Sequence, residues 1–159
     1  MPDGLPAAPP GPSGEDWRAG GFGLYVHWPF CAAKCPYCDF NSHVRRGIDQ
    51  HRWRAALVAG VRRSADTVPG RVLNSVFFGG GTPTLLDPAD LVAAVEGIRS
   101  RFGLAEDAEV TTEANPDSVT PESLATLAAG GFTRNGCPPS AAPGSATATA
   151  SSIPAPSAG

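Results

Sequence analysis

Between residues 21 and 134 the chain repeats one order three times: strand, loop, helix. Residues 22–28 are aromatic and β-branched and predict a strand that stops at Pro29. Trp53, Leu57 and Val61 share one face of a helix predicted over 49–65, with Arg52, Arg54, Arg62 and Arg63 on its solvated side. A second strand over 72–78 runs into Gly79-Gly80-Gly81-Thr82. Asp87-Pro88 is an N-cap followed by proline in the first turn, opening a helix with Leu91, Val95, Ile98 and Phe102 inward. A third strand over 108–113 closes at Asn115-Pro116, and Thr120-Pro121 opens a third helix that ends at Gly130-Gly131. Residues 132–134 read as a fourth strand that starts and stops. Such alternation implies parallel strands with right-handed crossovers, whose functional loops lie beyond the carboxyl ends of the strands.

Three unusual features fall at that rim: a cysteine loop after strand one, the glycine run after strand two, and Glu113 ending strand three. Cys31, Cys35 and Cys38 are spaced x3 then x2, so one short loop can wrap three thiolates around a compact inorganic centre. Three thiolates satisfy three irons of a [4Fe–4S] cube and leave the fourth open. Electron-transfer clusters are usually closed by four cysteines, so an open iron points to chemistry. The glycine run lacks the Lys-Ser/Thr ending of a phosphate loop, and its use is close approach of backbone to a ligand. A carboxylate at a strand end, Glu113, suits acceptance from ribose hydroxyls. Tyr25 alternates with inward residues of strand one. His27 and His43 are candidate ligands, although a lone histidine in such a place is more often a packing residue.

Two other readings of the cysteines stay open. Cys35-Pro36-Tyr37-Cys38 is also a glutaredoxin-type redox motif, and Thr67-Val68-Pro69 matches the cis-proline tripeptide of such proteins, with glycines after the next strand. That fold needs a further strand and helix between the two motifs, and it leaves Cys31 without a role. A tetrahedral zinc site built from the three cysteines and a histidine is the second alternative, although structural zinc usually draws two separated ligand pairs.

Composition sets the surroundings. Of 17 prolines, ten lie outside residues 21–134, so residues 1–20 read as a disordered leader and 135–159 as a low-complexity tail. A net charge of −3 gives no basic footprint for nucleic acid. No apolar run is long enough to span a bilayer, and no secretory signal opens the chain, so a cytoplasmic, reducing setting is expected.

The loop as a whole resembles the signature of the radical SAM enzymes. The match extends through Tyr25-Val26-His27-Trp28-Pro29-Phe30-Cys31, Cys35-Pro36-Tyr37-Cys38-Asp39-Phe40-Asn41-Ser42, Phe77-Phe78-Gly79-Gly80-Gly81-Thr82-Pro83-Thr84 and Glu113-Ala114-Asn115-Pro116. Together these resemble the oxygen-independent coproporphyrinogen III oxidase family. Asp39-Phe40-Asn41-Ser42 resembles its haem chaperone (HemW) branch, since the decarboxylating branch typically has a further cysteine where this chain has Phe40.

The resemblance implies an α/β fold, the N-terminal part of a partial (β/α) barrel over 21–134. It implies Cys31, Cys35 and Cys38 as cluster ligands, and Tyr25, Tyr37, Gly80, Gly81, Thr82 and Glu113 as contacts of S-adenosylmethionine. Bound to the open iron, that cofactor is cleaved by an electron from the cluster to give a 5′-deoxyadenosyl radical. Haem is implied as cargo for an acceptor protein, with an electron donor as a further partner; coproporphyrinogen oxidation is the alternative activity. Past Arg134 the resemblance stops, and the chain is expected to be a truncated product whose tail is out of frame or disordered.

Overall fold

The computed structural model describes residues 20–34, 38, 43–45, 47–136 and 151–152. Its first strand, β1 (Gly23–Trp28), alternates outward Tyr25 and His27 with buried Val26 and Trp28. Pro29 has no amide to donate and interrupts the strand. Two short strands follow, β2 (Phe30–Cys31) and β3 (His43–Val44), which pair in parallel and tie together the ends of the cysteine loop. Helix α1 (Gln50–Thr67) is capped by the Asp49 carboxylate, which accepts from the Arg52 amide. Strand β4 (Leu73–Gly80), helix α2 (Pro88–Phe102), strand β5 (Leu104–Glu113), helix α3 (Pro121–Ala129) and strand β6 (Arg134–Gly136) complete the expected rhythm.

The main sheet runs β1-β4-β5-β6, all parallel, with an antiparallel strand β7 (Ser151–Ser152) added to β6. Strand β7 departs from the expectation of a purely parallel sheet. A ladder needs only backbone donors and acceptors, which a Ser/Ala-rich segment supplies as well as any other. Strand β5 begins four residues earlier than its composition suggests. Gly103, at φ 75°, turns the chain straight out of α2, and its carbonyl accepts from the Leu73 amide.

The fourth strand also shifts. Phe132 is buried with its ring 5.4 Å from Phe78, and pairing starts only at Arg134. Before it, the Thr133 amide donates to the Val110 carbonyl at 2.9 Å, and the Thr133 hydroxyl accepts from the Val110 amide at 3.0 Å.

The three helices cover one sheet face. Helix α2 supplies most of that core: Leu91, Ala94, Val95, Ile98 and Phe102 are buried against Val26, Val76, Phe78 and Val110. Helix α1 buries no residue completely, and Trp53, Leu57 and Val61 pack half-buried at the margin. Of its arginines, Arg54 pairs with Asp90 of α2 at 2.9 Å, while Arg52, Arg62 and Arg63 are exposed. No helix among the described residues is long and apolar enough to cross a membrane.

Because α2 bridges the sheet and both other helices, its deepest residue should dominate stability. Ile98 has no solvent exposure, and Ile98→Ala is expected to cost about 2–5 kcal/mol through lost burial and a residual cavity. Exposed Glu96→Ala on the same helix should stay within about 0.5 kcal/mol. Urea denaturation of the two variants checks the difference.

Candidate functional site

The rim forms where β1, β4 and β5 end. After Trp28 the chain bends at Pro29 and resumes as β2, and the glycine run following β4 lies directly along it. The Gly81 amide donates to the Trp28 carbonyl at 2.6 Å, and the Thr82 amide donates to the Phe30 carbonyl at 2.8 Å. The parallel ladder thus continues past the proline. Beneath it, the rings of Trp28, Phe30 and Trp53 meet edge to face at centroid distances of 4.9–6.0 Å and hold the base of the cysteine loop. The loop is closed by the His43 amide, which donates to the Pro29 carbonyl at 2.6 Å.

Each glycine of the run has a packing reason of its own. A Cβ on Gly79 would lie 2.6 Å from the Phe77 ring and 3.1 Å from the Tyr25 ring. Gly80 has φ 111°, and a Cβ there would lie 2.6 Å from Nδ1 of His27. A Cβ on Gly81 would collide with the main chain of Phe30, which cannot yield as a side chain could. Gly79 and Gly80 therefore serve packing against Phe77 and the side chains of β1, and Gly81 the contact with β2.

The side chains that converge here fall into two groups. Cys31 sits half-buried on β2, and the Thr82 hydroxyl donates to its sulfur at 3.7 Å. Cys38 is likewise half-buried, and neither cysteine is in a disulfide. Cys35 and Tyr37 lie outside the described residues, as do residues 39–42 and Cys137. Among the described residues no group of three or more His, Cys, Asp and Glu forms a metal-binding cluster. A soft sulfur donor set carried on one loop of the sequence suits iron–sulfur ligation and offers nothing to a hard, oxygen-seeking cation.

The second group surrounds Gly80. Glu113, at the end of β5, accepts the Gly80 amide through Oε2 at 2.9 Å. Tyr25 stacks on Phe77, with centroids 6.0 Å apart and planes 21° from parallel, and its hydroxyl bonds Nδ1 of His27 at 3.1 Å. Tyr25 is 56% exposed; burial of the remainder, and then the charge of Glu113, push its phenol above the ordinary tyrosine range.

One feature of this face was not read from the sequence. Register aligns Tyr25, Phe77, Thr111 and Arg134 in a single row across four strands on the side away from the helices. Arg134 donates to Glu109 at 2.7 Å and Thr111 donates to the other carboxylate oxygen at 2.9 Å. These bonds, the Arg134 contact foremost, hold the Glu109 carboxyl below its usual range. Period-two alternation of Glu109, Thr111 and Glu113 along β5 is the signal that marks the row.

Comparison with known proteins agrees with this geometry. A profile of the Radical SAM superfamily matches residues 25–140. The haem chaperone HemW of Mycobacterium tuberculosis is 44% identical over 116 residues, which cover 71% of this chain and 30% of that protein. The mitochondrial radical S-adenosyl methionine domain-containing protein 1 of Mus musculus is 40% identical over 126 residues, covering 79% of this chain and 28% of its own length. Among solved structures, coproporphyrinogen III oxidase (HemN) from Escherichia coli, described as a radical SAM enzyme, superposes with a TM-score of 0.67 at 33% identity. The match covers 74% of this chain and 27% of that one. The chain thus spans less than a third of the length of each of these three relatives, and over that span it belongs to the radical SAM superfamily.

Proposed function

We propose that this chain is the cluster- and cofactor-binding portion of a HemW-like haem chaperone. The observation that carries the reading is the junction of cysteine loop and glycine run, where Thr82 meets β2 through both its amide and its hydroxyl. In this reading Cys31, Cys35 and Cys38 hold three irons of a [4Fe–4S] cluster, and the Thr82 hydroxyl damps charge on the Cys31 sulfur. Tyr25, Tyr37, Gly80, Gly81, Thr82 and Glu113 would contact S-adenosylmethionine. When bound, the pair supplies one-electron reduction of an alkyl sulfonium. The chain's own part is to orient: Glu113 fixes the Gly80 main chain, and Tyr25 and Phe77 form a wall beside it.

The cargo, haem or a porphyrin, the acceptor protein and the electron donor belong to the whole protein. The three-unit core over 21–134, flanked by segments 1–20 and 135–159, is taken as its N-terminal part, working in a reducing compartment such as the cytoplasm. Oxygen-independent coproporphyrinogen III oxidation is the second reading, favoured by the structural match to the Escherichia coli oxidase. Phe40, where the oxidase branch carries a cysteine, and the identity to haem chaperones favour the first.

Anaerobic reconstitution with iron and sulfide should give a brown chain. Alanine at Cys31, Cys35 or Cys38 should abolish the colour and the iron count, and Cys137→Ala should leave both intact. Loss of the cluster in Cys137→Ala contradicts an open iron; about one zinc per chain and no iron contradicts the cluster altogether.

For the function class, the full-length protein is incubated anaerobically with coproporphyrinogen III, S-adenosylmethionine and a reductant. No protoporphyrinogen should form, and in a separate incubation with haem and an acceptor protein the same protein should bind haem and pass it on. Appearance of protoporphyrinogen overturns the chaperone reading.

A further inference from the structure

His27 has no role in the site described so far, yet it touches two of its members from one ring. It lies on β1 two residues beyond Tyr25, so the two side chains leave the same face of the strand. The Tyr25 hydroxyl sits 3.1 Å from His27 Nδ1, and the two rings are tilted at 42° with centroids 5.8 Å apart. The same edge of the imidazole fills the space that a side chain on Gly80 would take, 2.6 Å from an ideal Cβ position. Gly80 is held in a left-handed conformation that only glycine adopts readily, and its amide is fixed from the other side by Glu113. An exposed histidine that merely decorated a strand end would make neither contact, and one serving only as bulk would not need its nitrogen on Tyr25.

We propose that His27 is a positioning residue for the S-adenosylmethionine site. It orients the Tyr25 hydroxyl through Nδ1 and seats the Gly80 main chain against its ring, so that strand β1 and the glycine run present one fixed surface. The assignment rests on the cofactor reading above and adds to it a residue that acts through two others. The tyrosine is tethered at its hydroxyl as well as stacked on its ring.

The test uses His27→Phe, which keeps ring bulk and removes the nitrogen, and His27→Asn, which keeps a polar atom near the Nδ1 position. The chain has only two tyrosines, so in a Tyr37→Phe background the tyrosine Fermi doublet in ultraviolet resonance Raman spectra reports Tyr25 alone, without iron or cofactor. His27→Phe is expected to change that doublet and His27→Asn to restore most of it. In the reconstituted chain with Tyr37 intact, equilibrium dialysis with S-adenosylmethionine should show affinity falling roughly tenfold in His27→Phe. His27→Asn should recover part of the loss, with iron per chain unchanged in both. In a Tyr25→Phe background, His27→Phe should cost less than it does alone, because the hydroxyl it holds is gone.

An unaltered doublet in His27→Phe, or an altered doublet with unaltered affinity, overturns the positioning role while leaving the proposed function standing. A wild-type chain that takes up iron but no S-adenosylmethionine contradicts the proposed function itself, and with it the cofactor half of this assignment.

Discussion

Two backbone hydrogen bonds, from Gly81 and Thr82 to the carbonyls of Trp28 and Phe30, hold the site's parts in one place. Everything else at the rim depends on them. They carry the parallel ladder across a proline that would otherwise end it, and so lay the glycine run along the strand bearing Cys31. The cost is steric, since Gly81 has no room for a Cβ over the Phe30 main chain. Glycine at this position is thus dictated by chain crossing chain.

Around that crossing, the carboxylates at the strand ends and on the open face find partners. Glu113 accepts the Gly80 amide at the point where β4 leaves the ladder and that donor would otherwise go unpaired. Burial first, and then the charge of the same carboxylate, raise the phenol of Tyr25 above its ordinary range. Lower on the face, Arg134 and Thr111 share the oxygens of Glu109. Both Arg134 and Glu109 are over 40% exposed, so this pair orders side chains more than it stabilises the fold. The apolar side is simpler: aromatic rings under the cysteine loop and aliphatic residues of α2. The one discord there is the indole N–H of Trp28, buried without a hydrogen-bond partner among the described residues. Such a group costs about 1–3 kcal/mol, which the surrounding aromatic packing offsets.

Much of this was legible in the residues. The caps at Asp87 and Thr120 appear where the side chain types placed them, because a capping oxygen acts within three residues of itself. The inward face of α2 followed from its period, since burial on a helix is a matter of angle. The meeting of cysteine loop, glycine run and Glu113 at one rim followed from parallel topology alone. Cross-strand register could not be read, because it depends on where each strand begins. The bulge between Leu73 and Ser75 and the late start of β6 decide that Tyr25, Phe77, Thr111 and Arg134 share a row. Nor could the roles of His27 and Glu113 toward Gly80 be foreseen, since each spans residues more than thirty apart and needs the ladder to be formed first. The glycine run reads from sequence as a place of ligand approach, while its packing against Phe30 and His27 exists only in the folded chain.

The central claim is that the cysteine loop and the glycine run are locked together by the chain itself, before iron or S-adenosylmethionine binds. Amide hydrogen exchange at Gly81 and Thr82 in the metal-free chain tests it most directly. Protection of both amides at a level comparable with the interior of β4 is the predicted result. Exchange of both at the rate of an unstructured peptide, with β4 still protected, contradicts the account.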